Sequence, residues 1–169
     1  MMALSRNRLL LLVTLLVAAV FMHGCGFNVR GQTPIVPFKA VMIEGNQGTA
    51  HELRQLLRQQ PGLRFASKTT DAQVVLTVLS QTLERTVVAF SAAGRPREIQ
   101  LRMRVTYKVS DGYAAELVGL QDIVQTRDLS ISEAEVLASG NAEAFIIEDM
   151  QRDIAQQLAR RLKAIRLPG

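Results

Sequence analysis

The chain has 169 residues, one cysteine, and 20 Lys and Arg against 15 Asp and Glu, a formal charge of +5. That length suits one domain, and the single cysteine excludes an internal disulfide framework or a multi-cysteine zinc or iron–sulfur site. Aromatic residues make up 5% of the chain, which argues against a stacking platform for single-stranded nucleic acid; no nucleic-acid partner is expected.

Residues 1–24 carry Arg6 and Arg8 and no acidic residue, and Leu9 to Met22 is apolar except for Thr14. A basic start followed by about 7–15 apolar residues is the form of a secretory signal. The run is short for a membrane span, which needs about 20 residues. Without this segment the remaining 145 residues hold 18 basic and 15 acidic side chains, a charge of +3. The division expected is a signal at 1–24, a tether at 25–38, and one domain at 39–169.

Cys25 follows the apolar run in Phe21-Met22-His23-Gly24-Cys25-Gly26. It reads either as an incidental thiol of a secreted protein or as a bacterial lipoprotein cleavage site. In the second case diacylglycerol alkylates the sulfur and Cys25 becomes the mature N-terminus. Gly24 supplies the small residue that such processing needs. Met22 stands where leucine is more usual, and His23 where a small residue is. Each buried acyl methylene contributes about 0.8 kcal/mol, and stable anchoring takes more than one chain. A diacylated or triacylated cysteine, bearing palmitate among its chains, meets that need. By resemblance to Gram-negative sorting patterns, Gly26 in place of aspartate directs the protein to the outer membrane.

In the mature chain, Gly31, Pro34 and Pro37 suit an extended tether. Ala40 to Ile43 predicts a short strand within residues 39–44. Gly45-Asn46-Gln47-Gly48 is turn chemistry, because Gly and Asn accept positive φ. Thr49-Ala50-His51-Glu52 has the form of a capping box. Ala50, Leu53, Leu56 and Leu57 then line one helix face, and Pro61-Gly62 stops it. His51 lacks neighbouring ligands and reads as a solvated helix residue. A small strand is expected at 63–66.

Extended stretches are expected at 72–84 and 86–92, with a hairpin tip at Ala93-Gly94-Arg95-Pro96. Residues 98–110 give the clearest strand. Ile99, Leu101, Met103, Val105, Tyr107 and Val109 alternate with Glu98, Gln100, Arg102, Arg104, Thr106 and Lys108, a period of two that no helix produces. Asp111-Gly112 predicts a tight turn, and 116–127 the return strand. Ser132-Glu133-Ala134-Glu135 offers a second capping box and a short helix ending near Gly140. A long helix from 141 to 165 follows, with Ile147, Met150, Ile154, Leu158, Leu162 and Ile165 on one stripe. The expected fold is α+β: two helices packed on one face of a mainly antiparallel, about four-stranded sheet, its other face polar and open.

No glycine-rich phosphate loop, nucleophile elbow or HExxH stands in the chain. No enzyme, cofactor or metal is expected. The cluster Arg95, Arg97, Arg102, Arg104 and Lys108 is more informative. It reads either as a solvated, edge-blunting face or as a site for an anionic partner, since arginine bonds phosphate or carboxylate in a bidentate fork. For a lipid-anchored envelope protein the fitting anion is a phosphorylated lipid.

Several short stretches carry a resemblance. Cys25-Gly26-Phe27-Asn28-Val29-Arg30-Gly31 is similar to the start of the lipopolysaccharide-assembly lipoproteins, the LptE or rare lipoprotein B family. Val41-Met42-Ile43 resembles that family's first strand, Glu98-Ile99-Gln100-Leu101 the opening of its long strand, and Gln156 to Leu162 its closing helix. The resemblance spans essentially the whole mature chain. It implies two helices on a four-stranded sheet and an outer-membrane lipoprotein with its domain on the periplasmic side. It also implies a one-to-one complex with the LptD β-barrel, in whose lumen the lipoprotein sits as a plug, aids barrel assembly, and binds lipopolysaccharide for insertion into the outer leaflet. The family's lipid-phosphate contacts lie at the hairpin tip before the long strand and near the start of the last helix. Arg95 and Arg97 correspond to the first. At the second this chain has Ser139-Gly140 instead of a lysine, and Arg102 or Arg104 are the candidates to substitute. The alternative is a lipid-anchored scaffold or chaperone of another envelope transport complex, with no lipid site. A periplasmic hydrolase is a distant third.

Overall fold

A computed structural model of the chain describes residues 35–131 and 136–167. The order is β1 (Ala40–Glu44), α1 (Gly48–Arg58), β2 (Arg64–Phe65), a 3-10 turn (Thr69–Asp71), β3 (Val74–Phe90), β4 (Pro96–Ser110), β5 (Glu116–Ser130) and α2 (Val136–Lys163). These strands form one five-stranded sheet, β2-β1-β3-β4-β5.

The α+β class and the two helices agree with the sequence reading; the sheet differs from it in strand number and direction. It has five strands, not four, and it is mixed. β1 pairs in parallel with both β2 and β3, while β3, β4 and β5 pair antiparallel. Parallel neighbours need a long crossover, and α1 with β2 supplies it between β1 and β3. Two short parallel strands leave little alternation to read.

The alternation of β4 is realised. Leu101, Met103, Val105, Tyr107 and Val109 are buried, and they share one core cluster with Ala50, Leu53 and Leu57 of α1 and Met150, Ile154, Leu158 and Leu162 of α2. Both helices therefore lie on the face presented by the odd-numbered residues. The even-numbered residues form the opposite face, in register with Thr82, Glu84 and Thr86 of β3 and with Asp122, Thr126 and Asp128 of β5.

The two extended stretches expected at 72–84 and 86–92 are continuous. β3 is one 17-residue strand, bulged at Val78/Ser80 and Val87/Ala89. Beyond Thr77 it has left β1 behind, and its distal half is exposed on both faces. α2 is likewise one 28-residue helix, not two joined near Gly140. An interior glycine costs about 1 kcal/mol relative to alanine, too little to break so long a helix. The second capping box, residues 132–135, lies outside the described residues.

The first capping box is not formed. The N-cap of α1 is Gln47, without a side-chain cap, and Thr49 is buried inside the helix. The Thr49 N–H donates instead to Gln81 Oε1 of β3 at 3.0 Å. Arg54 secures the preceding turn, donating to the carbonyls of Ile43 at 2.9 Å and Gly45 at 2.6 Å. The end of the tether segment is structural as well: Val36 and Phe38 are buried in the core, and Gln60 Oε1 accepts the Val36 N–H at 2.7 Å.

The β4–β5 connection is a five-residue loop built on Asp111, not a tight two-residue turn. The Asp111 Oδ1 accepts the N–H groups of Tyr113 and Ala115, each at 2.8 Å, and Ala114 takes a φ of +67°. A Cβ at Gly112 would press on the carbonyl oxygens of Ala72 and Thr69, the latter at 2.8 Å. Backbone has little room to give. Gly112→Ala should therefore lower stability by about 1–3 kcal/mol, read as a lower denaturation midpoint with unchanged far-ultraviolet dichroism.

Candidate functional site: the distal hairpin and its two faces

β3 and β4 meet in a loop at residues 91–95. The Ser91 N–H donates to Arg95 O at 2.8 Å and the Gly94 N–H to Ser91 O at 2.9 Å. Gly94 has a φ of +73°, where a side chain would be strained. This turn presents Arg95 at the tip. Arg97 is the second residue of β4, and its carbonyl accepts the Ile131 N–H at 2.8 Å. Ala89, Phe90, Arg95, Arg97, Glu98 and Ile131 are among the residues around an open cleft of about 790 Å³ at this end. Phe90 is 62% exposed, so apolar surface and guanidinium groups stand side by side there.

The four arginines read from the sequence do not form one cluster. Alternation along β4 puts Arg97 on the helix side with Ile99 and Leu101. It puts Arg102 and Arg104 on the opposite face. Seven residues separate Arg97 from Arg104, roughly 24 Å of strand at about 3.4 Å each. Arg104 is engaged: its Nη1 donates to Asp122 Oδ2 at 2.7 Å, and Thr106 Oγ1 donates to Asp122 Oδ1 at 2.7 Å. The Thr106 hydroxyl first, and then Arg104, hold the Asp122 carboxyl below its ordinary range. Its contribution to stability is therefore present above that range and lost as pH falls from there through the lowered folded pKa. Arg102 sits in register between Glu84 and Thr126. Among the described residues, Arg95, Arg97 and Arg102 take part in no ion pair.

Two arginines absent from the sequence reading flank Leu101 in one cross-strand row, Arg85 on β3 and Arg127 on β5. Both lie on the helix side and tie α2 down. Arg85 pairs with Glu143. Arg127 Nη2 donates to Asp153 Oδ2 at 2.6 Å, and Gln125 Nε2 reaches the same oxygen at 2.8 Å. The alternation Gln121, Ile123, Gln125, Arg127, Leu129 was the available signal, but a half-polar face does not announce itself. His51 is exposed and hydrogen-bonded to Gln55 at 2.7 Å. Cys25 and the Ser139 side chain lie outside the described residues. No helix among the described residues is long and apolar enough to cross a membrane.

This two-helix α+β fold is similar to solved structures of bacterial lipoproteins. The solution structure of an uncharacterized lipoprotein B from Nitrosomonas europaea is 30% identical, with a TM-score of 0.70 over 82% of this chain and 91% of that one. Two crystal structures share the fold: a minor lipoprotein from Acinetobacter baumannii, at 23% identity and TM-score 0.62 over 79% of this chain and 96% of that one, and the rare lipoprotein B of Shewanella oneidensis, at 17% identity and TM-score 0.63 over 73% and 92%. Curated protein sequences contain no match. Residues 38–162 match the LptE lipopolysaccharide-assembly family. The chain belongs to that family.

Proposed function

We propose that this chain is an outer-membrane lipoprotein, anchored through Cys25, that complexes one-to-one with the LptD β-barrel as a plug, aids barrel assembly and binds lipopolysaccharide on its way to the outer leaflet. Family membership supports a role in lipopolysaccharide assembly. The observation that carries the finer reading is the β3–β4 hairpin over its whole length. β4 has fifteen residues, about 50 Å at roughly 3.4 Å each. A bilayer with its headgroups is about 40–45 Å thick. A strand pair of that length, polar on one face, fits the polar interior of an outer-membrane barrel. The role is binding and assembly, not catalysis.

Arg95 and Arg97 at the tip are the residues assigned to lipid phosphate. Their contacts are charge-assisted and weaken with salt where exposed. By competing with divalent cations they would loosen lipid aggregates before insertion. A second reading, a lipid-anchored scaffold or chaperone without a lipid site, is favoured by one observation: Ser139-Gly140 replaces the second phosphate-binding position.

The anchor and the partner are tested together. The wild-type chain should incorporate labelled fatty acid, Cys25→Ala should not, and the wild type should co-isolate from detergent-solubilised outer membranes with one barrel per lipoprotein. Equal labelling of Cys25→Ala would sink the anchor. Co-isolation with an inner-membrane transporter instead would favour the scaffold.

A further inference from the structure

The charge of the domain is unevenly distributed. β1 and β3 begin at one end of the sheet, β4 ends there, and both helices terminate there. The segments that make this pole are 35–39, 58–73, 111–116 and 160–167. They hold eight basic residues, Lys39, Arg58, Arg64, Lys68, Arg160, Arg161, Lys163 and Arg166, all exposed, against Asp71, Asp111 and Glu116. The rest of the described residues carry nine basic side chains against ten acidic ones. The excess positive charge of the described domain therefore sits at this end.

Local geometry keeps these groups together and free. The Arg64 N–H donates to Lys39 O at 2.8 Å. Arg58 lies over the Phe65 ring at 5.8 Å. Arg161 donates to Tyr107 Oη at 2.7 Å and lies over the Tyr107 ring at 5.7 Å. Among the described residues none of the eight forms an ion pair, and Asp111 spends its carboxylate on its own loop. Complementing helix dipoles accounts for basic residues at the ends of α1 and α2. It does not account for Lys39, just before β1, Arg64, on the edge strand β2, or Lys68, just before the 3-10 turn.

The same pole receives the tether. Ten residues join Cys25 to Ile35, at most about 35 Å of chain. We infer that in the free lipoprotein, before it meets its barrel, this pole docks on the anionic surface of the bilayer that holds the anchor. The inference rests on lipidation of Cys25. Basic groups near an anionic surface add attraction that dies away within a Debye length, about 8–10 Å at physiological salt. A lipid anchor combined with a polybasic surface holds better than either one. The docked domain points its hairpin tip away from the surface, about 50 Å out along β4, where an incoming partner meets it.

The test uses the full lipidated protein in phosphatidylcholine vesicles with and without phosphatidylglycerol. A donor dye is attached through Thr70→Cys at the pole, or through Ala93→Cys at the tip as control, with acceptor dye on lipid headgroups. Energy transfer from the pole should rise when phosphatidylglycerol is present, and the rise should be lost at high salt. It should be lost equally in Arg160→Glu/Lys163→Glu/Arg166→Glu and in Arg64→Glu/Lys68→Glu, two separate surfaces of the same pole. The tip label should not respond. Flotation on neutral vesicles reports the anchor alone. Protein that floats there but shows no rise at the pole overturns the dock and leaves the anchor standing; protein that does not float overturns the anchor and the dock with it. A rise retained in both charge-reversed variants overturns the dock.

Discussion

Ile154→Ala should destabilise the domain by about 2–5 kcal/mol, a large fraction of the roughly 5–15 kcal/mol that holds a typical domain together. Ile154 is 0% exposed. It belongs to the α2 stripe with Met150, Leu158 and Leu162 that meets α1 and the odd-numbered face of β4 in one core. Interiors packed at crystal density relax only partly around a deleted side chain, so the lost burial and the cavity left behind both count. Denaturant unfolding should show a lower midpoint with an unchanged slope. Asp153→Asn, one residue earlier, removes the charge that Arg127 meets at the surface. Exposed pairs contribute about 0–1 kcal/mol, so that variant should move the midpoint far less. Equal effects would mean that α2 is held by its ion pairs and not by its apolar stripe.

Arg95→Glu/Arg97→Glu should lose lipopolysaccharide binding by about a hundredfold or more, on the basis of two charge-assisted hydrogen bonds at about 1.5–3 kcal/mol each. The protein should remain folded, because both side chains are exposed and unpaired among the described residues. Co-isolation with the barrel should persist. Wild-type binding should weaken as salt rises. Arg102→Glu, on the opposite sheet face, supplies the contrast and should change binding little. Undiminished binding by the tip double variant, measured with purified lipopolysaccharide, removes Arg95 and Arg97 from the site. A large loss in Arg102→Glu moves the site to the open face.

The parts of the fold legible in the sequence were those whose two faces differ in chemistry. β4 alternates from Ile99 to Val109 because one side meets helices and the other meets water, and that contrast writes itself into the residues. The stripe of α2 is legible for the same reason. Other features depend on distant partners and leave no local trace. Thr49 to Glu52 has every residue of a capping box, yet Gln81 from another strand takes the Thr49 N–H. β2 is two residues long, and its parallel pairing has no periodic signature. Val36 and Phe38 sit in a proline-punctuated stretch that reads as linker and packs as core. The arginine cluster was visible as composition. Its division between two faces, with Arg97 on one and Arg102 and Arg104 on the other, required the register. Leu79, Leu83, Val87 and Val88 of distal β3 are exposed, and they read like any other strand because nothing local shows that β1 stops at its fourth paired residue.

Seating of the distal hairpin inside a barrel is open to a direct test by site-specific photo-cross-linking in intact cells. A photoreactive residue would replace Val124 or Thr126 on the open face of β5, or Val88 on distal β3. Adducts to one large outer-membrane barrel are expected from all three positions, and none from Lys68 at the opposite pole. Adducts to an inner-membrane transporter, or no adduct from the hairpin in cells that carry the barrel, would contradict it.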